Sequence, residues 1–255
     1  DPNQAIYGFR GANVKLIEQL KIDFPKIKKI KLQKSFRCPT NILKIANQAL
    51  KQTETLEGTN FDIKAEIIEF QDFRLEAEFI AKKIEQMIGG VRSLTQANKT
   101  ENIKSFSDFA ILCRTSHIFE EILKTLQKHS IPCHLTKNIE ELEIKEEAVN
   151  LMTIHSAKGL EFECVFVPAC EEGILPFEFF KKKTKEEIEE EERLFYVATT
   201  RTKKYLFLTH AKNRIFNHMS VSLNKSEILE RFEKNLIQLS SVDYKEHKKQ
   251  IEFSF

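Results

Sequence analysis

Glycine is scarce in this 255-residue chain: there are seven, at positions 8, 11, 58, 89, 90, 159 and 173. None stands in G-x-x-x-x-G-K-[ST], the loop whose backbone amides and lysine cradle nucleotide phosphates, so the chain cannot hold a triphosphate in that way by itself. Lys158-Gly159 has the order inverted and lacks the leading glycine. G-x-S-x-G, H-E-x-x-H and G-x-G-x-x-G are missing too, which takes support from self-contained hydrolase and dehydrogenase readings. Cysteine is sparse and odd in number: Cys38, Cys113, Cys133, Cys164 and Cys170 include no C-x-x-C pair. That argues against a disulfide framework or a zinc site and fits a reducing, cytoplasmic setting; no metal ligand is assigned within the chain. No apolar run approaches the roughly 20 residues a membrane helix needs, and the polar N-terminus is unlike a signal peptide. Charge of one sign is lacking as well. The net charge is +2, so any nucleic-acid contact must come from local patches.

What is present is a core-forming composition, 41% hydrophobic and 31% charged, enough for one large domain or two small ones. Short β-branched or aromatic runs alternate with longer segments of helical period, the pattern of an α/β fold with a mainly parallel sheet. The expected strands are Lys28–Leu32, Ala65–Phe70, Asp108–Arg114, Val149–Ile154, Cys164–Ala169 and Lys204–Thr209. Pro39–Lys51 is expected to be helical, with its proline in the first turn. Ala77, Ile80, Ile84 and Met87 line one face of a helix ending at Gly89-Gly90, and Ile118–His129 and Ile188–Thr200 read as two more. Val91–Ser107 reads as an irregular loop, Thr136–Ala148 as an acid-rich link between strands, and the residues after Ser240 as a charged tail. The chain opens without an initiator methionine and is expected to be a piece of a longer protein.

Four segments carry residue types suited to chemistry. Asp1-Pro-Asn-Gln-Ala-Ile-Tyr-Gly-Phe-Arg-Gly-Ala12 places a glutamine amide, which both donates and accepts hydrogen bonds, ahead of the aromatic faces and cation of Tyr7, Phe9 and Arg10. Taken alone it reads equally as a turn with buried aromatics. Leu32-Gln-Lys-Ser-Phe-Arg-Cys-Pro39 sets an aromatic beside a planar guanidinium at an expected strand end; as an isolated pair, a core Phe36 and a solvated Arg37 are the commoner outcome. Asn150-Leu-Met-Thr-Ile-His-Ser-Ala-Lys-Gly-Leu-Glu-Phe162 puts His155, Ser156 and Lys158 at a strand's carboxyl end, where open α/β sheets bind ligands. Glu191-Glu-Arg-Leu-Phe-Tyr-Val-Ala-Thr-Thr-Arg-Thr-Lys203 is a helix that would present Arg201 at its end. The acidic run Glu186–Glu192 is expected to be a solvated face near the helix N-terminus.

In this order the four segments resemble motifs III, IV, V and VI of the UvrD/Rep/PcrA group of superfamily 1 helicases, and together they cover most of the chain from Asp1 to about Leu239. The resemblance implies a RecA-like, P-loop-NTPase-type α/β fold without its own phosphate loop, and the C-terminal motor region of an ATP-dependent 3′-to-5′ DNA helicase. It implies that residues 1–27 end a first RecA-like domain, that 28–239 form the second with its accessory insertion reduced to about 136–148, and that 240–255 are a tail. Gln4, Arg37 and Arg201 would contact the γ-phosphate of ATP, Arg201 as an arginine finger at the domain edge. Phe36 would lie on adenine and Glu161 on the ribose, with Gly159 as a third nucleotide-binding residue. Tyr7, Phe9, Arg10, His155 and Ser156 would meet single-stranded DNA. Arg114, in Ile111-Leu-Cys-Arg-Thr-Ser116, would reach a DNA phosphate. Departures from the group's pattern are Phe9 where Trp is common, Phe36 for Tyr, and Ser116 for Asn. Mg²⁺ ligands and the phosphate loop are expected upstream, in the N-terminal RecA-like domain of the same parent protein; duplex junctions are the other expected partner, and no membrane is. Two other readings stay open: a single-strand translocase or nucleic-acid-binding module without unwinding, and an interaction domain with decayed motifs. On the first reading the chain alone would not hydrolyse ATP.

Overall fold

The computed structural model describes residues 1–8, 11, 15–28, 30–61, 63–89, 103–136, 147–178, 183–216 and 219–242. Along them run α1 (Lys15–Asp23), β1 (Lys34–Pro39), α2 (Thr40–Ala49), β2 (Glu57–Thr59), β3 (Ala65–Asp72), α3 (Phe73–Gly89), β4 (Phe109–Cys113), α4 (Phe119–Lys128), β5 (Cys133–Thr136), β6 (Val149–Thr153), β7 (Phe162–Val167), α5 (Lys185–Thr199), β8 (Thr202–Phe216), β9 (Met219–Ser222) and β10 (Ile237–Val242).

The main sheet has the order β10-β3-β8-β7-β4-β6-β5, parallel throughout, with β9 antiparallel on the far end of β8. Both faces are covered, which is why β4 is apolar at every position instead of alternating with polar residues. Its Ala110 and Leu112 join α2 and α5 in one core, while Phe109, Ile111 and Cys113 join α3 and α4 in the other. This confirms the mainly parallel α/β sheet flanked by helices. In the second core a buried Arg214 pairs with Glu76 of α3 at 2.5 Å and Glu171 at 2.6 Å. All five cysteines are free. Among the described residues no helix is long and apolar enough to cross a membrane.

One expected strand is corrected. Lys28–Leu32 is not a strand among its described residues, and the strand begins instead at Lys34. Ile30 and Leu32 are 77% and 83% exposed, so among the described residues their apolar character has no surface to pack on. As a result the second segment lies along β1 itself rather than at a strand end. The end of the expected loop has regular structure: Ile103 is buried, and Phe106–Asp108 form a 3₁₀ turn capped by Ser105. Residues 91–102, most of the 136–148 link, and the tail beyond 242 lie outside the described residues. The charged tail nevertheless begins inside β10, which pairs with β3 from Ile237 to Val242.

Candidate nucleotide site and the face beside it

β1 and β2 form a two-stranded parallel sheet of their own. Gly58 makes this possible, because a Cβ there would stand 2.5 Å from the Cys38 carbonyl and the Thr40 amide. The buried Cys38 ties β1 to the end of α5 by donating its thiol to the Thr200 carbonyl at 3.2 Å; burial pushes that thiol up to about 11, so it stays protonated at neutral pH. With one side of β1 fixed in this way, Phe36 projects outward and is 83% exposed. Lys34 Nζ lies 5.8 Å from the ring centre; an aromatic face otherwise left in water is a contact surface rather than core.

Arg37 donates through Nε to Glu161 Oε2 at 2.7 Å, and Lys203 donates to the other oxygen, Oε1, at 2.9 Å. The hydrogen bond from Lys203, then that from Arg37, hold the Glu161 carboxyl below the usual range. Glu161 follows a turn in which Gly159 has φ +96°, with open space where a Cβ would be; glycine is kept there for its backbone and not for lack of room. Gln4, whose amide donates to Asp1 Oδ2 at 3.0 Å, faces the same hollow. Gln4, Phe36, Arg37, Glu161, Lys203 and Asp108 line an open cavity of about 1120 Å³. Four residues expected from three separate motifs, Gln4, Phe36, Arg37 and Glu161, thus line one cavity.

Arg201 sits beneath it. Expected at the domain edge, it is only 1% exposed. It donates through Nε to the Val197 carbonyl at 3.0 Å, through Nη1 to the Leu160 carbonyl at 3.1 Å and through Nη2 to Thr200 Oγ1 at 3.2 Å. Its own carbonyl accepts from the Phe162 amide at 2.9 Å. Arg201 therefore clamps the turn that carries Glu161 from both sides. Burial, then the neighbouring charge of Arg37, lowers it to about 10, which leaves it cationic at neutral pH.

The second candidate face lies past the carboxyl end of β6. Tyr7 donates its hydroxyl to the His155 carbonyl at 3.1 Å, the two rings stand 6.2 Å apart, and Lys158 Nζ lies 4.9 Å from the Tyr7 ring centre. Ser156 is buried, its hydroxyl 3.0 Å from Thr153 Oγ1, so its side chain supports the turn from inside. Arg114 makes a bidentate pair with Glu191 at 2.7 and 2.8 Å and lies over the Phe177 ring. Phe9 and Arg10 fall outside the described residues.

The solvated reading of Glu186–Glu192 holds only for its first turn. Glu190 accepts from the Gly8 amide at 2.8 Å. Glu191 is buried and accepts from Arg114, Lys183 and the Phe177 amide. Glu192 pairs with Arg231 and Lys51. Arg193 donates to the Ala5 carbonyl at 2.9 Å. Residues 1–8 are thereby docked on α5. Sequence reasoning also missed Lys203 and Lys204: the β7–β8 ladder shifts register between Phe162 and Cys164, and both lysines reach Glu163, at 3.8 and 3.6 Å.

A model of the family described as "UvrD-like helicase C-terminal domain" matches residues 30–140 and 135–213. A probable DNA helicase of Mycoplasma pneumoniae is 30% identical over 251 residues, 96% of this chain and 43% of that protein. The ATP-dependent DNA helicase PcrA of Staphylococcus aureus is 31% identical over 196 residues, 74% of this chain and 26% of its own length. The chain thus spans less than half the length of these relatives. Among solved structures, the C-terminal domain of a possible DNA helicase from Lactobacillus plantarum superposes with a TM-score of 0.53 at 18% identity, covering 80% of this chain and 98% of that one; this likeness speaks to the fold. With a family model across most of its length and homologues that are DNA helicases, this chain belongs to the UvrD-like helicase C-terminal domain family.

Proposed function

We propose that this chain is the C-terminal motor half of an ATP-dependent DNA helicase, and that the cavity around Phe36 is one wall of its nucleotide cleft. The observation that carries the reading is the convergence of Gln4, Phe36, Arg37 and Glu161, from residues 4 to 161 of the chain, on one open hollow. The donor set suits a nucleoside triphosphate: an exposed ring for the base, a carboxylate for the sugar, and a guanidinium and an amide for phosphate. Arg37 meets Glu161 through Nε alone, and its Nη groups form no other hydrogen bond among the described residues, so they are available to a γ-phosphate. Arg201 would reach the same phosphate after releasing the Leu160 carbonyl. Mg²⁺ and the phosphate loop belong to an upstream domain in this account; bound together, ATP and Mg²⁺ supply the phosphoryl chemistry, and this half supplies the facing charges. A second body also suits the surface, since eight of the eleven exposed large hydrophobics among the described residues fall between Leu16 and Phe36.

In this account Tyr7 and His155 meet single-stranded DNA, together with Phe9 and Arg10, while Arg114 and Ser156 brace that face from within. Closure on ATP and reopening after hydrolysis would alternate the grip of two domains and step the protein 3′ to 5′ along one strand. The test uses the full-length protein. Arg37→Ala and Arg201→Ala should each lower DNA-stimulated kcat by about 10³-fold or more, within the range for arginine fingers, while nucleotide binding largely persists for Arg201→Ala. An unchanged turnover number in both variants would refute the cleft. Strand separation measured beside single-strand-stimulated hydrolysis decides between a helicase and a translocase.

A further inference from the structure

Lys203 has no part in the roles assigned so far, yet it makes a direct hydrogen-bonded ion pair at the cavity. Its Nζ lies 2.9 Å from Glu161 Oε1, opposite the Arg37 Nε bond at 2.7 Å to Oε2. A carboxylate has about four lone-pair directions; these two cations take one on each oxygen, and Glu161 lines the cavity with the others. The Glu161 backbone is already held by Arg201, through the Leu160 carbonyl on one side and the Phe162 amide on the other. Its side chain is 43% exposed, however, and without cations on both oxygens it could turn into solvent.

We propose that Lys203 is a positioning residue for sugar recognition: it holds the Glu161 carboxylate in line to accept a hydrogen bond from a ribose hydroxyl, and keeps it there when Arg37 is drawn toward phosphate. The proposal rests on the reading of the cavity as a nucleotide cleft. Arg37 serves two anions in turn, Glu161 through Nε and phosphate through its Nη groups, so it cannot alone fix the carboxylate during a binding cycle. Lys203 has no such second task. Its only other carboxylate among the described residues is Glu163, at 3.8 Å, which is too long for a direct hydrogen bond and draws it away from Glu161 only weakly.

The test measures kcat and KM of the full-length protein, with saturating single-stranded DNA, for ATP, 2′-deoxy-ATP and 3′-deoxy-ATP. The parent should disfavour one of the two deoxy nucleotides by about tenfold in KM, the worth of a hydrogen bond to a charged acceptor. Glu161→Ala should erase that preference. Lys203→Ala should erase most of it, raising KM for ATP while kcat stays within about twofold, and Lys203→Arg should restore it. Lys203→Gln serves as a second neutral variant if the alanine form melts early. Full sugar discrimination in a folded Lys203→Ala or Lys203→Gln protein would overturn the proposal and leave the ribose reading of Glu161 standing. No discrimination in the parent, or discrimination that survives Glu161→Ala, would instead overturn the ribose reading, and the proposal with it.

Discussion

Arg114 and Glu191 show how burial changes what a charged residue can do. The pair is 77 residues apart in sequence, and the Glu191 side chain is 3% exposed. Burial alone would raise its carboxyl, but Arg114 and then Lys183 outweigh that and bring it below the usual range. A lowered acid stabilises the fold above its unfolded value of about 4.3, and that contribution is lost as pH falls through the lower folded value. Arg114→Ala leaves the buried carboxylate with Lys183 as its one remaining cation among the described residues, beside the Phe177 amide. The expected cost is about 2–3 kcal/mol at neutral pH, somewhat under that of a fully orphaned charge, or a melting point roughly 5–10 °C lower. The deficit should shrink once the pH is below about 4, where Glu191 is protonated in the unfolded chain. A thermal-melting series between pH 3 and 7 measures both. A neutral-pH melting point equal to the parent's would show that the pair contributes nothing.

At the scale of elements, the small β1–β2 sheet sets the position of Phe36 and Arg37, and Gly58 sets the sheet. Gly58→Ala would bring a methyl group to 2.5 Å from backbone atoms of Cys38 and Thr40, which no side-chain rotation relieves. The expected outcome is a loss of about 1–3 kcal/mol from overpacking, with a rise in nucleotide KM beyond what the lost stability accounts for. Denaturant unfolding alongside steady-state kinetics checks it, and an unaltered KM would mean the sheet does not set the site. Strands buried on both faces and helices with one apolar face were the legible part of the sequence: the strands containing Ala110–Leu112 and Val165–Val167 announce themselves by apolar run, and α3 and α5 by period. β2, β5, β9 and β10 did not, being short or, as in Gln238–Ser241, exposed along their length. Of the site, Gln4, Phe36, Arg37 and Glu161 were readable because their types and order resemble a known set of motifs. Lys203 was not, since a lysine early in a strand reads as solvated until its carboxylate partner is known. The partners of Glu191 and Glu192 come from remote segments, so no local pattern could show that these glutamates are buried.

At the scale of the molecule, a doubly covered parallel sheet presents one open cavity with charges and an aromatic face, and beside it a strip of exposed apolar residues from Leu16 to Phe36. Both features suit one half of a two-domain machine in which the nucleotide is held between facing walls. The chain has no phosphate loop of the G-x-x-x-x-G-K-[ST] kind, so in this account its wall can assist hydrolysis but cannot perform it. The most direct measurement is steady-state ATP hydrolysis, with single-stranded DNA present, by this 255-residue chain alone and by the full-length protein. The account predicts turnover by the full-length protein and none above background by the chain alone. Turnover by the chain alone that disappears on Arg37→Ala would contradict it, because the cavity would then be a complete active site rather than half of one.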